Sequence, residues 1–286
     1  MNLLLYSYFQ KVNLLIGEIY CRSILSRSGL YGIDYSINPY LGCFHRCSYC
    51  YAQYMVKNKR IPSNLHWGEY VYAKINAPTI LLKDLRRHTA GRILMSSVTD
   101  PYQPLELRYK LTRRILKILS RRDFEVTLLT KSHLVLRDSD IIGKFNSEMI
   151  EVGLTITLLN DELRRIFEPN SSSTMRRIEA LRILKSRGIR TFSFLGPLIP
   201  IVCEWDLEKL LNKLSSIGVE YIVVDKLNIG RGNRKLFDES LRMLPTKIGL
   251  TIRKILSENY FQYYDSLKRR ISMLADKFNL NIIFCY

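Results

Sequence analysis

The chain has 286 residues and 47% hydrophobic residues, enough to bury a sizeable core. Six cysteines, three of them crowded together, do not fit a secreted disulfide-stapled domain, so we expect an intracellular, reducing environment. Lys and Arg outnumber Asp and Glu by 44 to 26, and the resulting net charge of +18 makes nucleic acid a candidate partner. Positive charge spread over all faces for solubility is an equally supported alternative.

Two apolar segments fall short of a signal peptide or a membrane span. The opening segment "MNLLLYSYFQKVNLLIG" lacks a basic start and a small-residue cleavage site. The uncharged segment "TFSFLGPLIPIVC" at 191–203 contains two prolines and is shorter than the roughly 18 residues that suggest a membrane helix. We therefore expect a soluble, cytoplasmic protein with no membrane partner.

Strand-like runs rich in Val, Ile, Thr and Phe recur along the chain and alternate with helical patterns. The predicted strands cover residues 35–38, 92–98, 124–130, 149–158, 190–196 and 220–227, with a last strand within 279–286. The predicted helices cover residues 106–121, 174–187, 205–215 and 258–278.

This alternation predicts an α/β fold. Strands separated by helices form βαβ units, which give a parallel sheet with right-handed crossovers. About six units are too few for an eight-unit barrel, so we expect a partial, open (β/α)6 TIM-like barrel. A closed barrel and a doubly wound sheet are the competing folds. We expect an N-terminal extension at 1–31 that packs on the core, and a partial barrel at 32–286 that includes a C-terminal helix and strand.

Three cysteines lie close together in "NPYLGCFHRCSYCYAQ" at 38–53, where Cys43, Cys47 and Cys50 have the spacing C-x3-C-x2-C. Packing on one helix face is disfavoured by the turn-forming "NPYLG" before them. A structural zinc site needs four protein ligands; the other cysteines are distant in sequence, and His45 is badly placed to join the three. Three thiolates can instead hold three corners of a [4Fe-4S] cluster, which leaves one iron open to an exogenous ligand.

This spacing, after a predicted strand and with Tyr49 directly before the last cysteine, resembles the cluster motif of the radical S-adenosylmethionine superfamily. The resemblance implies a [4Fe-4S] cluster and S-adenosylmethionine as cofactors. It also implies the reaction: an electron, from a donor such as ferredoxin or flavodoxin, cleaves the sulfonium to methionine and a 5'-deoxyadenosyl radical, which abstracts hydrogen from the substrate. The cofactor carries this chemistry, and the protein orients it and excludes water.

Longer motifs resemble one branch of that superfamily, the spore photoproduct lyase-like proteins, also called DNA repair photolyases. The likeness runs from about Gly32 to Pro200 and, more faintly, into "VVDKLNIGRG". The motifs are "GIDYSINPYLGCFHRCSYCYAQYM", "SSVTDPYQPLELRYKLTRRIL", "LLTKSHLVLRD", "TITLLNDELRRIFEPNSSSTMRRIEAL" and "FLGPLIP". The resemblance implies a lyase-like DNA repair reaction on nucleic acid.

The same resemblance implies roles for residues outside the cysteines. Thr99 in "SSVTD", Lys131 in "LLTKS" and Thr155 in "GLTIT" match residues that contact S-adenosylmethionine. The alternatives are a solvated charge at a strand end for Lys131 and an ordinary strand residue for Thr155. Tyr49, which we expect at the cofactor, and Tyr51 bracket the last cysteine like two tyrosines implicated in radical relay. Aromatic packing over the cluster is the alternative for Tyr51.

Ser97 is a departure from the lyase, which has at this strand end a cysteine that returns a hydrogen atom to the repaired thymine. A hydroxyl O–H bond is much stronger than a thiol S–H bond, so Ser97 is a poor hydrogen-atom donor. We expect Ser97 at the catalytic position, but thymine repair itself does not follow from the resemblance.

A glycine-containing basic segment, "DKLNIGRGNRK" at 225–235, follows a predicted strand and suits phosphate oxygens. A flexible basic loop is the alternative. Two other functions also stay open. The same radical-generating core could modify tRNA, a peptide or a small metabolite, or the protein could bind an iron-sulfur or zinc centre without catalysis.

Overall fold

The computed structural model describes residues 14–55 and 61–286 and shows a mixed α/β chain. The described residues form two compact units, the first made of 14–46, 52–55 and 61–152, and the second of 47–51 and 153–286. Residues 1–13 of the predicted N-terminal extension lie outside the described residues. In the described part of the chain, every helix is too short or too polar to cross a lipid bilayer.

The first unit contains two sheets. Its strands are β1 (Leu15–Ile19), β2 (Leu25–Arg27), β3 (Tyr35–Ile37), β4 (Tyr40–Leu41), β5 (Tyr70–Lys74), β6 (Arg92–Met95) and β7 (Glu125–Thr130). One sheet has the order β1-β5-β4, with β1 and β5 parallel. In the other, β3, β6 and β7 run parallel, and β2 pairs antiparallel with β3. The strand β8 (Ile150–Thr155) begins in this unit and ends in the second.

The helices of the first unit follow its strands. They are α1 (Ala52–Met55), α2 (Ala77–Asp84), α3 (Glu106–Tyr109), α4 (Leu111–Leu119) and α5 (Ser139–Ile142), with 3-10 turns at His133–Asp138 and Ser147–Met149. The apolar face of α4, which includes Leu111, Ile115 and Leu119, is buried. Burial of such a face is what holds an amphipathic helix of this length in place.

The prediction of one continuous helix at 106–121 is wrong, because the helix is interrupted at Lys110, between α3 and α4. Lys110 has a φ of 50°, in the left-handed region. The buried Glu106 carboxylate accepts hydrogen bonds from the backbone amides of Thr112 at 3.0 Å and Arg113 at 3.2 Å. These amides belong to the first turn of α4, where they have no partner within the helix, so Glu106 stabilises the new helix start.

The first strand of the sheet in the second unit is the C-terminal part of β8. Its other elements are β9 (Arg190–Leu198), β10 (Tyr221–Lys226), β11 (Ile282–Phe284), α6 (Asp161–Phe167), α7 (Thr174–Ser186), α8 (Leu207–Ile217), α9 (Arg234–Arg242), α10 (Thr246–Glu258) and α11 (Tyr260–Phe278), with a 3-10 turn at Val202–Glu204. The strand order is β8-β9-β10-β11, with β9, β10 and β11 parallel. The six predicted strands and the predicted last strand are all present, with bounds that differ by a few residues.

Candidate active site

A glycine shapes the backbone just before the first cysteine. Gly42 has a φ of +85°, and a Cβ atom there would lie 2.4 Å from the carbonyl oxygen of Tyr70. Only glycine combines this backbone conformation with such a close approach. Gly42, the last residue of the turn-forming "NPYLG" motif, is therefore required by the backbone path into the cysteine loop, residues 42–50.

Two polar side chains hold the backbone on both sides of Cys43, which is 7% exposed. The Thr99 hydroxyl donates a hydrogen bond to the carbonyl oxygen of Gly42 at 2.6 Å. Gln103 is fully buried; its Nε2 donates to Thr99 Oγ1 at 3.0 Å, and its Oε1 accepts from the backbone amide of Phe44 at 2.9 Å. Thr99 and Gln103 thus fix the two neighbours of the first cysteine.

Asp100 is a buried carboxylate that joins the cysteine loop to the end of β7. It accepts hydrogen bonds from the Thr130 hydroxyl at 2.6 Å and from the backbone amides of Lys131 and Tyr102, both at 2.8 Å. The Nδ1 atom of His45, between the first two cysteines, lies 3.3 Å from Asp100 Oδ2.

The charge on Asp100 is stabilised by these partners. Burial by itself raises the pKa of Asp100, but the nearby imidazole of His45 and the hydrogen bonds from the Thr130 hydroxyl and the Lys131 amide outweigh burial and lower the pKa to about 2. Asp100 is therefore an anion at neutral pH. It fixes the backbone of Lys131 directly.

Ser97 lies just beyond β6, in a turn held by Asn38. The Asn38 Nδ2 donates to Ser97 Oγ at 3.2 Å, and Asn38 Oδ1 accepts from the backbone amide of Val98 at 3.0 Å. The preceding residue, Ser96, has a φ of 72°, which is unusual for a residue other than glycine. This sharp turn brings the strand to an end, and such strained positions are frequent at functional sites.

In the second unit, Tyr49 is buried between Cys47 and Cys50. Its hydroxyl donates to the carboxylate of Glu168, and the adjacent backbone amide of Ser48 donates to the carbonyl of Phe167 at 2.9 Å. Burial and then the charge of Glu168 raise the pKa of Tyr49 well above its ordinary value. Tyr49 therefore keeps its proton and remains a hydrogen-bond donor.

Glu168 also pairs with Arg177, and both side chains are about 1% exposed. Arg177 Nη2 lies 2.5 Å from Glu168 Oε2. The other two nitrogens of Arg177 donate hydrogen bonds to the carbonyl oxygens of Thr155 and Ser172, each at 2.9 Å. The pair therefore links Tyr49, beside the last cysteine, to Thr155 at the end of β8. The attraction within a buried charge pair offsets the cost of removing both charges from water only when their remaining polar atoms are also hydrogen-bonded, as they are here.

Asn233 ties the basic segment to the cysteine loop. Its Nδ2 donates to the carbonyl oxygens of Tyr49 at 2.8 Å and Asn228 at 3.2 Å, and its Oδ1 accepts from the backbone amide of Gly230 at 2.9 Å. Asn233 is fully buried. One side chain thus closes the segment on itself and anchors it beside the last cysteine.

The predicted site residues are divided between the two units. The first unit contains Cys43, Ser97, Thr99 and Lys131, and the second contains Cys47, Tyr49, Cys50, Tyr51 and Thr155. Cys47 is 5% exposed, Cys50 is partly exposed, and Tyr51 is 42% exposed. Within its own unit, Thr99 contacts the cysteine loop directly, Tyr49 and Thr155 are joined through Glu168 and Arg177, and Lys131 contacts Asp100 through its backbone.

Along residues 14–55 and 61–286, no three or more His, Cys, Asp or Glu side chains lie close enough together to hold a single metal ion. A [4Fe-4S] cluster places each thiolate on a different iron, so its ligand sulfurs lie farther apart than the ligands of one ion. The donor set fits such a cluster in its chemistry, because three thiols lie within residues 43–50. The backbone beside them is hydrogen-bonded at Gly42 and Phe44 in the first unit and at Tyr49 in the second.

Five residues that support the site were not predicted in that role: Gln103, Asp100, Glu168, Arg177 and Asn233. Asp100 directly follows Thr99 in "SSVTD", but nothing in that motif indicates its partners at His45 and Thr130. Glu168 and Arg177 lie inside one of the family-like motifs, but their spacing of nine residues along the chain marks no contact. Only the fold brings Asn233 to Tyr49.

Comparison with known proteins shows the family. The family model of the Radical SAM superfamily matches residues 37–214, more than half of the chain. The uncharacterized protein MJ0683 of Methanocaldococcus jannaschii is 37% identical over 257 residues, which cover 89% of this chain and 87% of that protein.

Two solved structures show the fold. Spore photoproduct lyase complexed with dinucleoside spore photoproduct has a TM-score of 0.71 and 15% identity, covering 97% of this chain and 84% of the lyase chain. SuiB from Streptococcus suis, bound to the precursor peptide SuiA, has a TM-score of 0.51 and 14% identity, covering 98% of this chain and 52% of that chain. The predicted fold class, a partial (β/α)6 barrel, is confirmed by the likeness to the lyase. The chain belongs to the Radical SAM superfamily, whose enzymes use a [4Fe-4S] cluster and S-adenosylmethionine.

Proposed function

We propose that this radical SAM enzyme acts on nucleic acid, with a lyase-like repair of DNA as its leading reaction. In this proposal Cys43, Cys47 and Cys50 hold the cluster. When bound, the cluster supplies the electron that cleaves S-adenosylmethionine reductively. The hydrogen bonds of Thr99, Gln103 and Asn233 support this role, because they hold the cysteine loop at Gly42, Phe44 and Tyr49.

Tyr49, Thr99, Lys131 and Thr155 are the proposed contacts to S-adenosylmethionine. The one proton of the Thr99 hydroxyl is already donated to Gly42, so Thr99 would meet the cofactor as an acceptor, which suits the ammonium group. Lys131 carries the opposite charge to the cofactor's carboxylate, and its backbone is held by Asp100. Tyr49 and Thr155 are positioned by the Glu168–Arg177 pair.

Tyr51 and Ser97 are the proposed catalytic residues on the substrate side. Tyr51 is 42% exposed, which suits a residue near a substrate. The Ser97 hydroxyl accepts a hydrogen bond from Asn38, and its O–H bond makes it a poor source of hydrogen atoms. A final hydrogen return, if the reaction has one, therefore needs a donor other than Ser97.

The bond between Asn233 and Tyr49 carries the nucleic-acid proposal. It anchors a segment with exposed Arg231, Arg234 and Lys235 to the residue between the last two cysteines. Guanidinium and ammonium groups beside glycine backbone suit phosphate oxygens. The net charge of +18 and the dinucleoside in the complex of the similar lyase point to the same substrate class.

The electron donor that we propose is a small redox protein such as ferredoxin or flavodoxin. We propose a cytoplasmic location, because cytosolic reductants keep cysteines as thiols that can ligate iron. Modification of a peptide is the second candidate, since the similar enzyme SuiB was solved with a precursor peptide. Modification of tRNA or of a small metabolite by the same core remains a further alternative.

The test is anaerobic incubation of reconstituted enzyme with S-adenosylmethionine, dithionite and a DNA oligonucleotide that contains spore photoproduct. Undamaged DNA, tRNA and a mixed peptide pool are the parallel substrates. We expect damaged DNA to increase 5'-deoxyadenosine formation and to change mass, with Cys43→Ala inactive. If the peptide pool alone stimulates the reaction, the nucleic-acid proposal is wrong and the second candidate stands.

A further inference from the structure

An aromatic and basic surface in the second unit includes most of the basic segment at 225–235. We define it as Lys226, the segment 228–235, Tyr260 and Phe261. Phe261 is 74% exposed, a large apolar side chain in water at the start of α11. Arg231, Arg234 and Lys235 are exposed in the neighbouring segment. An exposed aromatic ring beside several cations is the composition of surfaces that bind single-stranded nucleic acid.

Hydrogen bonds hold the aromatic part of this surface against the basic part. The Tyr260 hydroxyl lies 3.0 Å from both the carbonyl oxygen of Leu227 and Oδ1 of Asn228. The ammonium of Lys226 lies 5.3 Å from the ring centroid of Tyr260 and 5.7 Å from that of Phe261. Cation–π contacts at these distances keep the charge of Lys226 next to the rings.

The same surface is connected to the cysteine loop. The backbone carbonyl of Asn228, whose side chain accepts from Tyr260, accepts a hydrogen bond from Asn233, and Asn233 also donates to Tyr49. Three hydrogen bonds therefore separate the exposed aromatic face from the residue between the last two cysteines. A ligand on this surface would lie on a segment that is hydrogen-bonded to the cysteine loop at Tyr49.

We propose that this surface binds a single-stranded or locally opened nucleic acid, with an unpaired base stacked on Phe261 and phosphates paired with Arg231, Arg234 and Lys235. The inference rests on the proposed function and narrows its substrate to nucleic acid with an unpaired base. Stacking on an aromatic ring needs a free base face, which a continuous duplex offers only at its ends. The three cations pair with phosphates in either form.

Fluorescence anisotropy of a labelled twelve-nucleotide DNA strand and of the matching blunt duplex tests this proposal over a salt series. We expect the wild-type protein to bind the single strand more tightly than the duplex. Phe261→Ala weakens single-strand binding about tenfold and weakens duplex binding much less, because the duplex offers a free base face only at its two ends. Phe261→Trp restores single-strand binding. Met273→Ala is the matched control, because Met273 is 72% exposed on the same helix.

The triple change of Arg231, Arg234 and Lys235 to Ala tests the phosphate contacts. We expect weaker binding of both DNA forms and a smaller salt dependence, with the slope reduced by about 0.7 for each lost contact on the single strand. A triple change of the exposed Lys209, Lys213 and Lys254 is the control and leaves the slope closer to wild type.

The outcomes separate this inference from the proposed function. Normal binding by the Phe261 and triple-cation variants would overturn the surface assignment and leave nucleic acid as the substrate class. Tighter binding of the duplex than of the single strand would overturn the unpaired-base assignment. If the wild-type protein bound neither DNA form at low salt, this inference and the nucleic-acid proposal would both fall.

Discussion

The side-chain amide of Asn233 donates a hydrogen bond to the backbone carbonyl of Tyr49 at 2.8 Å, across 184 residues of sequence. We expect Asn233→Ala to lower iron retention after reconstitution and gel filtration, since the cysteine loop loses an anchor. Loss of a buried hydrogen-bonded group also costs about 1–3 kcal/mol of unfolding free energy.

Asn233→Asp separates the hydrogen bond that this side chain accepts from Gly230 from the one that it donates to Tyr49. The carboxylate can still accept from Gly230 but cannot donate to Tyr49, so we expect iron retention close to that of Asn233→Ala. The exposed Asn212→Ala is the control. Iron retention by Asn233→Asp equal to wild type would show that the bond to Tyr49 does not hold the loop.

The buried Glu168–Arg177 pair makes a second prediction. Glu168→Gln leaves the Arg177 charge buried without a counter-charge, so we expect a loss of about 3–5 kcal/mol in urea unfolding. The exposed Glu179–Arg182 pair has the same separation of 2.5 Å, and Glu179→Gln is expected to change nothing measurable. Equal losses of unfolding free energy for the two substitutions would contradict the stabilising role of the buried pair.

The lowered pKa of Asp100 makes the stability of the folded protein depend on pH. Its pKa is about 2 in the folded protein and 3.8 for an ordinary Asp, so the carboxylate contributes stability that is full above 3.8 and is lost as the pH falls toward 2. We expect Asp100→Asn to be about 2 kcal/mol less stable than wild type at pH 7. The difference should narrow in acid; a constant difference from pH 7 to pH 3 would show that the charge of Asp100 is not what stabilises the loop.

Glycine substitutions at Lys110 and Lys117 are expected to have opposite effects on stability. The left-handed backbone at Lys110 costs a residue with a side chain about 1 kcal/mol, so we expect Lys110→Gly to be neutral or stabilising. Lys117 lies on the exposed face of α4, and Lys117→Gly should destabilise by about 1 kcal/mol. Thermal unfolding of both variants checks the sign; a loss at both sites would place Lys110 inside a continuous helix.

The parallel strands could be predicted from the sequence because each is a buried apolar run, such as "FEVTLLT" or "EYIVVDKL". The strands β2 and β4, with three and two residues, are too short to show a pattern. The sequence does not predict the interruption of the helix at Lys110, because no Gly or Pro marks it. Its cause is Glu106, whose carboxylate caps the next helix.

The cysteines of the candidate site could be predicted because their spacing is local and its chemistry is specific. The side chains that hold their loop could not be predicted in this way. Glu168 lies 119 residues from Tyr49, and Asn233 lies farther still. An Asn or Glu at such positions has no local signal, since its partner is a backbone carbonyl or a hydroxyl brought near only by folding.

Anaerobic reconstitution with iron and sulfide tests the central claim, that three cysteines hold a cluster that cleaves S-adenosylmethionine. For the wild-type protein we expect about four irons per chain, absorbance that bleaches with dithionite, and 5'-deoxyadenosine. We expect Cys43→Ala, Cys47→Ala and Cys50→Ala each to lose the cluster and the product, while Cys285→Ala keeps both. Zinc at one equivalent without cleavage of S-adenosylmethionine, or full iron loading of Cys43→Ala, would contradict the account.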